Sequence, residues 1–332
     1  MSMTSHERVM CALHGEQPDR VPFCEGNVAA NIARSIAGTE ENLEEWETSA
    51  LLDRDVVVPI LFPPYFAGSK FLDEDDDQAY ITEGHLKTRA DLEKMEFPDP
   101  NDSALYAHTK KVIENKGDFA CAVAIKQGVA PTLVSMGMDS FSYALADDPD
   151  FIVEVLNRYV DWQIQVTENL CNMEGVDFLW CYDDIAYKSG PLCSPRTFRK
   201  YLLPAFQRHA EAITKPWVFH SDGNLLPVIE DILDLGPIGL HPIEPGPLDL
   251  GEMKMKYGKR VCLIGNVSVD RLSQGSPEEI EAIVKDCLKT GSPGGGYMIS
   301  SSNSIPRYAD PVNVKVMADT IRKYGAYPIQ ID

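Results

Sequence analysis

Residues 216–244 read PWVFHSDGNLLPVIEDILDLGPIGLHPIE. Trp217-Val218-Phe219-His220 is an apolar run of strand length that ends on a histidine. Residues 225–235 carry the spacing of a short helix, and residues 238–241 repeat the strand pattern. Two apolar strands joined by a helical crossover must run parallel, because a tight turn can only join antiparallel strands. Both strands are followed at once by polar residues, Ser221-Asp222-Gly223 after the first and Glu244 after the second.

The same unit recurs on both sides. Residues 119–125, 176–181, 261–265 and 297–300 predict further buried strands. Pro149 opens a helix behind the N-cap Asp148, and Ile152, Val155, Tyr159, Trp162, Val166 and Leu170 place one apolar face on it before Gly175 ends it. Residues 195–214, 277–288 and 311–324 predict helices, the second begun by a capping box of Ser276 and Glu279. Alternating strands and helices imply a parallel sheet. No linker divides the chain, so residues 1–332 predict one closed barrel. A doubly wound sheet is the alternative, but no GxGxxG follows any strand. Residues 1–118 are irregular in pattern and are expected to supply an N-terminal segment and lid loops. Within them, Pro18-Asp19-Arg20-Val21-Pro22 and Phe97-Pro98-Asp99-Pro100 are rigid connectors. Asp73-Glu74-Asp75-Asp76-Asp77 lacks the ligand alternation and glycine of a calcium loop and predicts a solvated loop.

Composition narrows the partners. Thirty Lys and Arg against 51 Asp and Glu leave a net charge of −21 over 332 residues. Such a chain repels polyanions, which argues against nucleic acid and against an anionic membrane surface. The eight cysteines include no CxxC pair, which suits a reducing compartment and small buried side chains. The N-terminus lacks the apolar core of a signal peptide. The longest apolar stretch, Val56 to Phe62, contains Pro59 and falls far short of the ~20 residues a span needs. A soluble cytoplasmic protein is expected, with a homodimer as the assembly left open.

In a parallel barrel, the chemistry lies where the strands end. Those ends carry Tyr182-Asp183-Asp184, then His220-Ser221-Asp222-Gly223, then His241 to Glu244, then Gly265-Asn266, then Ser300 to Ser304 with Asn303. Asp184, His220, Asp222 and Glu244 are ligand types for a divalent ion, which needs about three protein ligands and one open position. The metal-free alternative is an acid–base network in which Asp183 or Asp222 orients His220. His241, ahead of Pro242, reads as structural. His6, His14, His85, His108 and His209 read as surface residues, and Gly294-Gly295-Gly296 as a turn.

On these segments the chain resembles the uroporphyrinogen decarboxylase superfamily, which includes corrinoid (cobalamin)-dependent methyltransferases. The segments are Pro18 to Pro22, Val176 to Asp184, Phe219 to Gly223, Gly239 to Glu244, Leu263 to Val267, and Gly296 to Ile299 with Ser304-Ile305-Pro306. The resemblance implies a single (β/α)8 TIM-type barrel. Where the decarboxylase carries carboxylate-binding arginines after the P-x-R-x-P element, this chain reads Phe23-Cys24-Glu25-Gly26-Asn27-Val28, and Asn303 replaces the family's late histidine. Members acting on coenzyme M resemble a His-x-Cys pair with a later Cys; here these positions hold His220, Asp222 and the neighbourhood of Asn303. Members that demethylate aryl methyl ethers resemble an acid–acid–His zinc site, and Asp184 and His220 match two of its positions. Arg199 stands near the third, so Glu244 is expected to supply the missing oxygen.

The resemblance therefore implies a methyltransferase that moves a methyl group from a small methylated donor, such as an aryl methyl ether, to the cobalamin of a separate corrinoid protein. With Glu244 added from its strand-end position, zinc held by Asp184, His220 and Glu244 is expected to activate the leaving oxygen. Asp183, His220 and Asp222 take acid–base roles, with Asp222 also a fourth-ligand candidate. Tyr182, Asn266 and Asn303 orient the substrate. The aromatics between Phe62 and Phe66 stack on a ring or anchor a lid. A carboxy-lyase and a non-catalytic ligand-binding barrel are the rival readings.

Overall fold

The computed structural model describes residues 2–70 and 80–331. The acidic run Asp73 to Asp77 lies outside them. Seven parallel strands follow one another around the sheet: β1 Val56–Val57, β2 Ala120–Lys126, β3 Phe178–Tyr182, β4 Trp217–His220, β5 Gly239–His241, β6 Cys262–Ile264 and β7 Tyr297–Met298. Residues 22–24 fill the gap between β7 and β1. Ile299 N donates to Pro22 O at 3.0 Å and Cys24 N to Ile299 O at 2.9 Å, while Asp55 N donates to Phe23 O at 2.8 Å on the other side. With this eighth stave the expected barrel closes.

Side chains alternate in and out along each strand. Ala120, Ala122 and Ala124 of β2, Phe178 and Trp180 of β3, Val218 of β4, and Cys262 and Ile264 of β6 fill the interior together with Met298. Their neighbours Val123, Leu179, Phe219 and Leu263 face the surrounding helices. Helix Ser5–Leu13 plugs the N-terminal end of the barrel, with Val9, Ala12 and Leu13 in the interior cluster.

The predicted helices largely hold. Helix Pro149–Cys171 is capped by Asp148, and Ser276 and Glu279 form both bonds of their capping box at the head of helix Pro277–Gly291. The glycine run ahead of β7 is a turn, at φ +80°, +76° and +60°. Residues 1–118 are more regular than their pattern suggests, with helices Ser5–Leu13, Ala30–Ala37, Glu45–Leu52 and Ala107–Asn115. Each spans only two to three turns, and three of them bury polar side chains, Arg8, Thr48 with Ser49, and Thr109; Ser49 is fully buried and donates to Val56 O at 2.8 Å.

The P-x-R-x-P connector is fastened by ion pairs. Asp55, fully buried, accepts from Arg8 at 2.6 Å, from Arg20 at 3.1 Å and from the Phe23 amide at 2.9 Å, which ties the eighth stave to β1. All eight cysteines are free. No helix among the described residues is long and apolar enough to cross a membrane.

Candidate active site

One register row builds the floor of the mouth. Lys126, Tyr182, His220 and His241 are Cα partners across β2, β3, β4 and β5. Residues in one row of adjacent strands point to the same face, here the barrel interior. The Tyr182 ring lies over the His220 ring with centroids 4.1 Å apart. His220 Nδ1 is 2.6 Å from His241 Nδ1, so its Nε2 is left facing the mouth.

Around that Nε2 stand two carboxylates. Asp184 Oδ1 is 3.6 Å away and Asp222 Oδ1 is 3.8 Å away. Among the described residues, Asp184, His220 and Asp222 form a group whose ligand atoms all lie within 4.8 Å of one another. Burial pushes the Asp184 carboxyl up, but the bonding and charge of His220, with Lys126 and the Asp222 amide, hold it well below the usual carboxylate range. Asp222 goes the other way. Burial, with the charges of Asp184 and Glu244, pushes it up to about 6 against the pull of His220. Its Oδ2 accepts from Asn303 Nδ2, while its Oδ1 is buried with no hydrogen-bond partner.

An orphaned carboxylate oxygen beside a second carboxylate and an imidazole nitrogen fits a cation. A tetrahedral ion with bonds of about 2.0–2.1 Å sets its ligand atoms roughly 3.3–3.4 Å apart, so spacings of 3.6 and 3.8 Å need only small side-chain adjustments. Glu244 stands beside this group. Its Oε2 accepts from the Gly223 amide at 2.7 Å and its Oε1 lies 3.8 Å from Lys188. Gly223 is at φ +87°, and a Cβ there would meet Tyr187 O at 2.6 Å, so the turn that presents Asp222 requires glycine.

The other predicted residues divide. Asn303 and Tyr182 line the mouth. Asp183 is fully buried and turned away from the His220 ring, its carboxylate accepting from Val129 N at 2.8 Å and from Ala130 N at the start of helix Val129–Met136. Burial pushes it up to about 7. Asn266 Oδ1 takes the thiol of Cys287 at 3.2 Å, which turns it toward helix Pro277–Gly291. Arg199 is paired with Asp231 at 2.9 Å on the surface. Glu25, which stands where the decarboxylase carries arginines, is fully buried, bonded to Ser301 N at 2.7 Å, and pushed up to about 7 by burial. His209 is buried instead of exposed, 2.8 Å from Thr167 Oγ1, and burial lowers it to about 3. Phe66 packs on Phe97 and Tyr159 as an anchor, whereas Phe62 faces the mouth.

Two adjoining cavities share Asn303 and Ser304. One of about 290 Å³ is walled by Val58, Ile60, Phe62 and Tyr182 and reaches Asp184, His220 and Lys126. The other, about 410 Å³, is polar and reaches Asp222, Glu244 and Lys188. The three-residue group thus lies at their junction. Lys126 went unnoticed in the sequence, although a lysine closing the otherwise apolar run ACAVAIK, residues 120–126, is the signal that could have found it.

The fold and sequence have known counterparts. A methyltransferase structure from Methanosarcina mazei superposes with a TM-score of 0.76 at 21% identity, covering 98% of this chain and 100% of that one. Methylcobamide:CoM methyltransferase MtaA of Methanosarcina barkeri is 32% identical over 127 residues, 37% of each chain. A uroporphyrinogen decarboxylase of Neisseria meningitidis serogroup C is 25% identical over 174 residues, 52% of this chain. The matched stretches span 37% and 45% of those two relatives' lengths. The model of the uroporphyrinogen decarboxylase (URO-D) family matches residues 56–324, and the chain belongs to that family.

Proposed function

We propose that this protein is a metal-assisted methyltransferase that delivers the methyl group of a small methylated donor to a corrinoid carried by a partner protein. The observation that carries this reading is the orphaned Asp222 Oδ1 facing His220 Nε2 beside Asp184. The 32% identity to a methylcobamide-utilising enzyme supports the reaction class. The ligand set of two oxygens and one imidazole nitrogen suits zinc, and such an ion, when bound, supplies a Lewis acid to the leaving atom. With no cysteine in the group, an oxygen-linked donor such as an aryl methyl ether suits the site better than a thiol.

The chain's own residues do the positioning. His241 holds His220 so that Nε2 offers its lone pair to the mouth. Asn303 fixes one oxygen of Asp222 and so aims the other. Tyr182 and Phe62 wall the donor's cavity and exclude water from its ring. On methyl transfer the donor oxygen would keep the bonding pair, and a reduced corrinoid, when its carrier is bound, would supply the nucleophile that takes the methyl group. Developing negative charge on that oxygen is the barrier, and preorganised positive charge beside it lowers it. Decarboxylation of a polycarboxylate fits less well, because Asp184, Asp222 and Glu244 ring the entrance.

The test is to load the purified protein with zinc, mix it with a reduced corrinoid protein and aryl methyl ethers, and follow the cobalt absorption. Methyl transfer that chelation abolishes supports the reading. Absence of any bound ion, with ligand binding unchanged by chelator, discards it.

A further inference from the structure

Lys126 is the one member of the register row that the mechanism above leaves unused. It ends β2, partly buried, and lines the 290 Å³ cavity. Its ammonium sits 4.8 Å from the centre of the Phe62 ring and 5.8 Å from that of Tyr182. Among the described residues no hydrogen bond or ion pair reaches it; the two ring faces flank it, and Asp183 and Asp184 feel its charge. The nearby acids are otherwise engaged. Asp183 is bonded to the Val129 and Ala130 amides, and Asp184 belongs to the group around His220.

A divalent ion cancels the two charges of Asp184 and Asp222. Lys126 is then left between two aromatic faces with Asp183, whose carboxylate is bonded elsewhere, as its remaining charge neighbour. Ring faces attract a cation but leave its N–H donors unbonded. An anionic acceptor on the ligand satisfies them. In the same row, Lys126 and His220 are two strand spacings apart, about 9–10 Å at the backbone, and their side chains converge inward. That separation and the cavity volume suit a single ring with the anion at one end and the methyl ether at the other.

We infer that Lys126 selects the substrate: the donor is a single-ring aromatic anion whose carboxylate or phenolate pairs with this ammonium while its ring lies between Phe62 and Tyr182. The inference rests on the methyl-transfer reading for the nature of the donor, but its test does not require turnover. Zinc-loaded protein is titrated calorimetrically with 3-methoxybenzoate and with its neutral isostere 3-methoxybenzamide. Wild type is expected to hold the anion at least tenfold tighter. Lys126→Met loses that preference while its amide affinity stays within about twofold, which also reports that the cavity is intact. Lys126→Arg keeps the preference. Equal affinities in wild type, no binding of either probe, or a preference that survives in Lys126→Met overturns the inference. Anion-selective binding without any methyl transfer to a corrinoid protein would instead leave Lys126's role standing and sink the methyl-transfer reading.

Discussion

His220 Nδ1 and His241 Nδ1 lie 2.6 Å apart inside the barrel, and only one of them carries the shared proton. Burial, reinforced by the charge of His220, lowers His241 far below the usual histidine range, so it is neutral. If His220 Nε2 gives its lone pair to an ion, its proton sits on Nδ1 and is donated to His241. That bond fixes both the tautomer and the ring plane. His241→Phe removes the acceptor, and zinc affinity is expected to fall about 10–100-fold. Competition with a chromophoric chelator reads this; His241→Asn, which keeps an acceptor, should recover part of the loss. Undiminished affinity in the Phe variant would show that the pair is structural only.

Asp222 and Glu244 make opposite predictions about the ion. The orphaned oxygen belongs to Asp222, whereas both Glu244 oxygens have neighbours in Gly223 and Lys188. Asp222→Asn should therefore weaken zinc binding by more than tenfold. Glu244→Gln should leave the metal content of the purified protein near that of wild type. Elemental analysis of both variants decides between these ligand sets, and the reverse result would restore Glu244 to the ligand place expected of it from the sequence.

Glu25 sets a pH dependence of known sign. Its carboxyl is pushed by burial from 4.5 up to about 7, so the folded state holds a proton that the unfolded state releases. The stability this protonation contributes is complete below about pH 4.5 and is lost as the pH rises toward 7. Glu25→Gln has no proton to lose. Relative to wild type, the variant is expected to gain stability steadily between pH 5 and 7. Urea midpoints of the two proteins at each pH measure it, and parallel curves would contradict it.

Asp55 holds the barrel closed. It is fully buried against Arg8, whose side chain is only 5% exposed, and it also binds the amide of Phe23 in the eighth stave. Removing one partner of a buried pair costs about 3–5 kcal/mol when the other charge is stranded; Arg8 keeps Asp19, so the loss is carried by Arg20 and the Phe23 amide as well. Asp55→Ala should lower stability by about 2–4 kcal/mol in denaturant titration, with the far-ultraviolet spectrum unchanged before the transition. A loss under about 1 kcal/mol would mean that Asp19, already paired with Arg8, and water compensate the lost carboxylate.

The sequence by itself determined the alternation of strands and helices, the closed parallel barrel, and the rim on which the polar residues gather. Each of those is written in local periodicity, capping and strand-end composition, which a linear reading can see. It also placed Asp184 and His220 at one mouth, because His220 ends one apolar strand and Asp184 stands just past another. Which carboxylate joins them was not legible. Asp222 and Glu244 follow adjacent strands alike, and only the Gly223 turn and the Asn303 bond aim the first inward and tie the second to the backbone. The tertiary structure alone decided that Asp183 serves a helix start, that Asn266 turns to Cys287, and that Lys126, His220 and His241 share a row. It also decided that residues 22–24 complete the wall. The reason is that register between strands, and the side of the wall on which a residue falls past a strand's last ladder bond, arise from contacts tens to hundreds of residues apart. A linear pattern carries no record of them.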